Sequence, residues 1–212
     1  TNPSANEELL EFLGEEFRSH DYNVKHLIAT IMKSHVFELS STPVSRNVGD
    51  QKNFSRAYRH RMRAEVLLDA VNGVLETEET FAAMPPGSRA TQLWTYRSSS
   101  LFLDTFGRPD PNQDPPCERS SDSTTPQVLH LMNSPALNKK LASDTGRVAR
   151  LAASDMTNAE IADEAYLLMF SRRPTTEESK KAAGSLPSKD RRLAVEDLFW
   201  ALLNTPEFLF ID

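Results

Sequence analysis

RMRAEVLLDAVNGVL, residues 61–75, is the stretch of sequence that decides the fold. Its apolar residues recur every three or four positions, the spacing that brings side chains to one face of an α-helix. Extended upstream, the same spacing predicts one long helix over residues 53–75. The inner stripe of this helix comprises Ala57, Ala64, Leu67, Leu68, Val71 and Leu75.

Capping signals predict further helices along the chain. A capping box pairs a serine or threonine with a glutamate three residues later and satisfies the free N–H groups at a helix start. Asn23 and the pair Thr125-Pro126 are also typical of helix starts. The predicted capping boxes are Ser4 with Glu7, Thr157 with Glu160 and Thr175 with Glu178.

The remaining segments add little β structure. Residues 89–97 alternate and contain β-formers, so they are the best strand candidate, although a lone strand needs a partner. The sequence predicts a short helix over residues 98–106 and the last long helix over residues 189–203. The sequence therefore predicts a mostly α fold: an irregular multi-helix domain with long ordered loops and at most a minor β element.

The chain length of 212 residues suffices for one sizeable core. We expect a single helical domain over residues 1–212, with a division into 1–88 and 125–212 around the segment 89–124 as the alternative. Residues 107–124 form a proline-rich loop. A loop of that length inside a compact domain is usually functional or disordered.

Composition and charge argue against several functions. The formal net charge of −6 disfavours binding to nucleic acid or to an anionic membrane, since both need a cationic surface. No apolar run approaches the roughly 20 residues of a membrane span, so we expect no membrane insertion. The common nucleotide, hydrolase, zinc and haem motifs are absent. The sequence therefore implies no cofactor and no metal.

The first candidate site is polar and lies on the predicted long helix. Arg61 and Glu65 are four residues apart at the edge of the apolar stripe, and Asp69 follows four residues later. A guanidinium between two half-buried carboxylates must be paired, because an unpaired buried charge is strongly destabilising. Two interpretations stay open: an acid/base or ligand site, and a structural ion-pair network that ties the helix to the long loop.

The second candidate site is the loop that contains Asp110 and Asn112. Its alternating oxygen side chains resemble the start of a calcium loop, but Pro115 stands where such a loop needs glycine. Asx turns that shape the loop are the alternative interpretation. In the same loop Cys117 lies two residues before Arg119, and a neighbouring arginine can make a thiol reactive. A buried packing role for Cys117 is the alternative.

Charge balance gives the most specific prediction. Glu65 and Asp69 are like charges one turn apart, which is mildly destabilising, and Arg61 satisfies only one of them. The proline-stiffened loop needs an anchor, and an arginine fork grips a carboxylate well. We therefore predict that Arg119 reaches back to the long helix and pairs with Glu65 or Asp69.

Two apolar features complete the candidates. His35 extends the apolar stripe of a helix that begins after Asn23, where a satisfied core histidine is expected. Exposed apolar surface near a terminus is the mark of an interaction domain. The candidate residues for such a surface are Phe208, Leu209, Phe210 and Ile211.

An ordered set of segments resembles one known family. The set includes Val24-Lys25-His26-Leu27, Arg61-Met62-Arg63-Ala64-Glu65 with Asp69-Ala70, Asp110-x-Asn112, Cys117-x-Arg119, Leu131-x-Asn133-Ser134-Pro135 and Ala201-Leu202-Leu203-Asn204-x-Pro206-Glu207-Phe208-Leu209. In this order they are similar to domain of unknown function 1553. That is the C-terminal domain of large exported planctomycete-type proteins that often carry a cytochrome c-like segment.

The resemblance implies a context and no particular activity. It implies a module of an exported, periplasmic or cell-surface protein, linked to redox or polysaccharide-related machinery. Two functional hypotheses follow. The first is a non-catalytic interaction or scaffolding module that binds other domains of its parent protein or a protein partner. The alternative is an enzyme or ligand-binding domain with a polar site at Arg61, Glu65, Asp69 and the loop 110–119.

Overall fold

The computed structural model describes residues 4, 6–82, 84–95, 98–110, 119, 123–186 and 190–211. These residues fall into two compact units, one that ends at His60 and one that runs from Arg61 to Ile211. The first unit contains helices α1 (Glu7–Ser19) and α2 (Val24–Met32). The prediction of a single domain over residues 1–212 stays a prediction, as does the alternative division around 89–124.

Helices make up most of the second unit. In chain order its elements are α3 (Ala64–Leu75), the 3-10 helix η1 (Ala90–Gln92), α4 (Leu101–Thr105), α5 (Thr125–Asn133), α6 (Pro135–Leu141), α7 (Arg147–Ala152), α8 (Asn158–Phe170), α9 (Thr176–Gly184), α10 (Arg191–Leu203) and α11 (Pro206–Leu209). In the described part of the chain the one sheet pairs two-residue strands, β1 (His60–Arg61) and β2 (Phe210–Ile211). The predicted mostly α fold with at most a minor β element is confirmed.

The predicted helix over 53–75 is correct from Ala64 onward and wrong before it. Upstream, the Asp50 carboxylate holds a tight loop by accepting several backbone hydrogen bonds. Its donors are the N–H groups of Lys52, Asn53 and Ser55. Phe54 within this loop has a φ of 53°, a left-handed conformation that a helix cannot include. Ala57 therefore lies outside the helix, whereas the rest of the predicted stripe is buried on α3.

The predicted strand over residues 89–97 is also wrong where the structure describes it. Residues Ala90–Gln92 form η1, because the Asp69 carboxylate accepts the backbone N–H groups of Ala90 and Thr91 and turns the chain sharply. The strands lie elsewhere. Met62, which follows β1, and Leu209, which precedes β2, are also paired: the Met62 N–H donates to the Leu209 carbonyl oxygen at 2.9 Å.

Local capping chemistry starts the helices. The box at Thr157 is confirmed, since its backbone N–H donates to Glu160 Oε2 at 2.7 Å and its hydroxyl accepts the Glu160 N–H at 3.3 Å. The box at Thr175 has the same form, and Asn23 caps α2 as predicted. At α1 the cap is Asn6, which accepts the Leu9 N–H, so the predicted box at Ser4 is wrong. At α5 the cap is Thr124, one residue before the predicted position.

The core of the second unit forms where α3, α8 and α10 bury their apolar faces. Its fully buried side chains include Leu67, Leu68, Val71, Leu75, Leu103, Phe106, Ile161, Val195, Phe199 and Leu203. Each such side chain contributes about 1.5–3 kcal/mol by leaving water. This core gives α3 a fixed position, and α3 carries two of the predicted site residues, Glu65 and Asp69.

The first unit buries far less. Its helices α1 and α2 pack against each other, and neither contains a buried residue. The turn between them is tight, with Asp21 and Tyr22 both left-handed at φ values of 53° and 56°. The Phe17 ring meets the Tyr22 ring edge-on at 5.4 Å, which supports this turn.

Candidate functional site

The predicted anchor between the loop and the long helix exists. Arg119 Nη1 lies 2.7 Å from Glu65 Oε2, which confirms that Arg119 pairs with a carboxylate of α3. Glu65 is in the first helical turn and only 8% exposed. A carboxylate at that depth needs a cation, and the guanidinium supplies one. The pair therefore fits the structural interpretation of this cluster.

Asp69 has a different partner from the one expected. Its two carboxylate oxygens accept the Ala90 N–H at 2.7 Å, the Thr91 N–H at 3.0 Å and the Thr91 hydroxyl at 2.7 Å. Backbone amides thus take the place of the second cation that charge balance suggested. Asp69 therefore fixes η1 to α3, and Arg119 pairs with Glu65.

Arg61 is not on the helix. It lies in β1, so its predicted spacing of one helical turn from Glu65 does not occur. Its guanidinium carbon lies 5.6 Å from the centre of the Phe106 ring, and Nη1 donates to the Met62 carbonyl oxygen at 3.3 Å. These contacts are typical of a side chain that covers an aromatic core residue.

The remaining predicted site residues divide by position. Asp110 is exposed at the end of a described segment. Asn112 and Cys117 lie outside the described residues, so their roles stay predictions. His35, expected in a core stripe, is exposed in a turn after α2, because that helix ends at Met32.

A polar cleft opens beside Asp69, on the side of α3 that faces away from the core. Its volume is about 330 Å³. The residues that line it are Asp69, Asn72, Gly73, Thr77, Glu78, Glu79, Gly87, Ser88 and Arg89. Lys140 lies next to it and donates to Asn72 Oδ1 at 2.8 Å and pairs with Glu79 at 3.3 Å. The cleft offers carboxylates, the Asn72 amide and the Arg89 guanidinium to a small polar molecule, and the described residues that line it include no aromatic side chain.

The predicted apolar patch near the end of the chain is mostly buried. Phe208 is 3% exposed and belongs to the core, and Leu209 packs partly against it. Phe210 is half-buried in β2, and Ile211 alone of the four is exposed. Helix α11, which carries Phe208 and Leu209, packs against α8 and α10, so these two side chains are not offered to a partner.

A larger apolar surface lies on the first unit, where the sequence did not predict one. We call it the hairpin surface. It consists of Leu9, Leu10 and Phe12 on α1 and of Val24, Ile28, Ile31 and Met32 on α2, all between 40% and 61% exposed. The helical spacing of the four α2 residues was visible in the sequence, but spacing alone does not show whether another part of the chain covers the stripe.

Comparison with known proteins gives one match. The family model described as PSD1, protein of unknown function (DUF1553), matches residues 1–186. No curated protein and no solved structure matches the chain. Within the described residues, no helix has both the length and the apolar character that crossing a membrane requires.

Proposed function

The chain belongs to the DUF1553 family of proteins of unknown function, and we propose that it is a non-catalytic interaction module of a larger exported protein. Its hairpin surface docks onto another domain of that protein. The family carries no activity to transfer, so the proposal rests on the surface itself. The family resemblance contributes only the context of a multidomain, exported parent.

One observation carries the proposal: α1 and α2 bury none of their residues, yet present seven large apolar side chains at 40–61% exposure. Full burial of such a side chain is worth about 1.5–3 kcal/mol, so leaving about half of each in water forgoes roughly 1 kcal/mol. Clustered apolar surface of this kind marks protein interaction sites, whereas scattered exposed residues need no explanation. The two helices place the cluster on one short unit.

Charge indicates the chemistry of the partner. Helix α1 carries five glutamates and one arginine around its apolar residues. A partner that covers the hairpin surface therefore needs an apolar centre with lysines or arginines at its rim, because complementary rims steer association and fix its register. An acidic or uncharged rim on the partner would offer no cation to Glu7, Glu8, Glu11 and Glu15, whereas Glu16 already contacts His26.

The predicted polar site supports a non-catalytic role. Glu65 is paired with Arg119, and both oxygens of Asp69 are occupied by η1. A catalytic carboxylate must reach a reacting atom within hydrogen-bonding distance. Here both carboxylates are engaged in contacts that hold parts of the second unit together.

Hydrogen exchange in the parent protein tests the docking. The amides of α1 and α2 should exchange at least tenfold more slowly in the parent than in the 212-residue chain alone. Ile28→Glu should abolish that protection. The matched control, Leu193→Glu, changes an equally exposed leucine of α10 and should leave it intact. Equal exchange of α1 and α2 in the two proteins would contradict the proposal.

The polar cleft beside Asp69 supports a second candidate, a binding site for a small polar ligand. Its volume of about 330 Å³ is at the lower end of the range for small-molecule sites. A thermal-shift screen of polar metabolites, sugars and amines on the chain tests it, since a ligand of the folded state raises the melting temperature. A ligand of the cleft should no longer raise the melting temperature of the variant Glu78→Gln, which changes the cleft. It should still raise that of Glu177→Gln, which changes α9.

A further inference from the structure

Two histidines and a glutamate meet at the turn between α1 and α2. Glu16 lies on α1, His20 directly follows that helix, and His26 lies on α2. Glu16 Oε1 is 2.8 Å from His26 Nε2 and 3.5 Å from His20 Nδ1. The two imidazole rings stack with their centres 3.7 Å apart. One nitrogen or oxygen atom from each residue lies within 4.8 Å of the other two.

We propose that Glu16, His20 and His26 bind a divalent transition-metal ion of the zinc type. Two imidazole nitrogens and a carboxylate oxygen are a donor set that Zn²⁺ accepts, with water in the fourth position. Around a tetrahedral ion with bonds of about 2.0–2.1 Å, donor atoms lie roughly 3.3 Å apart. Glu16 Oε1 and His26 Nε2, now 2.8 Å apart, must separate by about 0.5 Å, and no donor pair is farther apart than 4.8 Å, so none must close by more than about 1.5 Å.

The hydrogen bonds at the cluster prepare two of the ligands. His20 Nδ1 lies 2.9 Å from the Glu16 carbonyl oxygen, which can only accept, so Nδ1 carries the proton and Nε2 keeps its lone pair. A backbone carbonyl that holds the non-ligating nitrogen is a common support for metal-bound histidine. Glu16 Oε1 is held towards the rings by its contact with His26 Nε2 at 2.8 Å, so the carboxylate already faces the two imidazoles.

Metal binding requires two local changes. The rings now lie only 15° from parallel, and a metal lies in the plane of each imidazole that binds it, so one ring must rotate. His26 can do so, since its side chain is 35% exposed, and His20 then keeps its hydrogen bond to the Glu16 carbonyl oxygen. His26 Nε2 now donates its proton to Glu16, so in the bound state the neutral ring carries its proton on Nδ1.

The site would join α1 and α2, two helices that contain no buried residue. A metal held by Glu16 and His26 cross-links α1 to α2, and its binding free energy then adds to the stability of the folded hairpin. The sequence did not reveal the site, because no two of the histidines share one helix face. The tight turn through Asp21 and Tyr22 brings them together.

Calorimetric titration of the chelator-treated chain with Zn²⁺ tests the proposal. We expect one Zn²⁺ per chain, no response to Mg²⁺, and binding at least about tenfold weaker in Glu16→Gln, His20→Gln and His26→Gln. The matched controls are His35→Gln and His60→Gln, two exposed histidines outside the cluster, which should bind as the original chain does. Circular dichroism confirms that each variant keeps its helices.

Nitrogen-15 NMR of the imidazoles supplies a second measurement. Zn²⁺ should shift the Nε2 resonances of His20 and His26 and leave those of His35 and His130 in place. Absence of Zn²⁺ binding, or undiminished affinity in His26→Gln, would overturn the proposal. The experiment uses the chain without a partner, so its failure would not affect the proposed docking surface, and failure of docking would not affect the metal site.

Discussion

Arg119 and Glu65 are 54 positions apart in the sequence, and their side chains meet at 2.7 Å. The contact fastens Arg119, which lies within the proline-rich segment 107–124, to the first turn of α3. Glu65 is nearly buried, whereas the Arg119 side chain keeps 32% of its surface exposed. The pair is therefore solvated on the arginine side and desolvated on the glutamate side, so loss of the arginine affects Glu65 most.

We predict that Arg119→Ala lowers the free energy of unfolding by about 2 kcal/mol, less than a fully buried pair because water reaches Arg119. The cause is a nearly buried carboxylate left without its cation. Urea denaturation measures the loss. The control is Arg173→Ala, at a side chain 78% exposed and 3.9 Å from Asp163, which should change stability by less than about 0.5 kcal/mol. Equal effects in the two variants would contradict the anchoring role.

A second prediction concerns Asp69→Asn. An amide in place of the carboxylate keeps one acceptor but turns an NH₂ group towards donors in η1, so it loses charge-assisted hydrogen bonds to Ala90 and Thr91. We expect stability to fall by about 2 kcal/mol. The Ala90 and Thr91 amides should also exchange faster with deuterium. Asp155→Asn, at an exposed carboxylate, is the control and should change neither quantity.

Features set by neighbouring residues could be predicted from the sequence. The boxes at Thr157 and Thr175 need only a glutamate three residues later, and both occur. The start of α3 could not be predicted, because Asp50 and the pairing of Met62 with Leu209 decide it from outside the helix. The strand predicted over residues 89–97 fails for a similar reason, since contacts with the distant Asp69 override the alternating pattern.

The candidate sites show the same division. The contact of Arg119 with Glu65 is long-range but was predictable, since a half-buried carboxylate on α3 required a cation. The exposure of the hairpin surface could not be predicted. An apolar stripe that includes Ile28 has the same sequence pattern whether or not another helix covers it. The cluster of Glu16 and His26 depends on the turn geometry, which no spacing rule contains.

A third prediction uses the end of α8. Ser171 closes that helix with a φ of 56°, a left-handed conformation that costs a residue with a Cβ atom about 1 kcal/mol. Ser171→Gly should therefore raise the free energy of unfolding by about 1 kcal/mol, measured by urea denaturation. Glu76 ends α3 with a φ of 53° but also pairs with Arg147 and Arg150 at 2.9 Å. Glu76→Gly should gain less, and an equal gain would show that those ion pairs contribute nothing.

The last prediction concerns acid stability at Glu178. Two hydrogen bonds from Arg172, each at 2.9 Å, and one from the Thr175 N–H lower the pKa of Glu178 from its ordinary 4.5 to about 2. A carboxyl group with a lower pKa in the folded chain stabilises the fold fully above its unfolded pKa. That contribution declines as the pH falls through the folded pKa. The stabilisation from Glu178 should thus be complete above about pH 4.5 and should be lost between pH 4.5 and pH 2.

Carboxyl NMR of the folded chain checks the midpoint directly, and it should lie near pH 2 for Glu178. Glu178→Gln should flatten the dependence of unfolding free energy on pH between 4.5 and 2, because an amide has no proton to take up. Glu177→Gln removes one negative charge from the same helical turn and should leave that slope unchanged.

A Glu178 midpoint near its ordinary value would mean that Arg172 does not hold this carboxylate in solution. Arg172 then remains paired with Glu207 alone, through the hydrogen bonds at 2.7 Å and 2.8 Å that join the turn after α8 to α11.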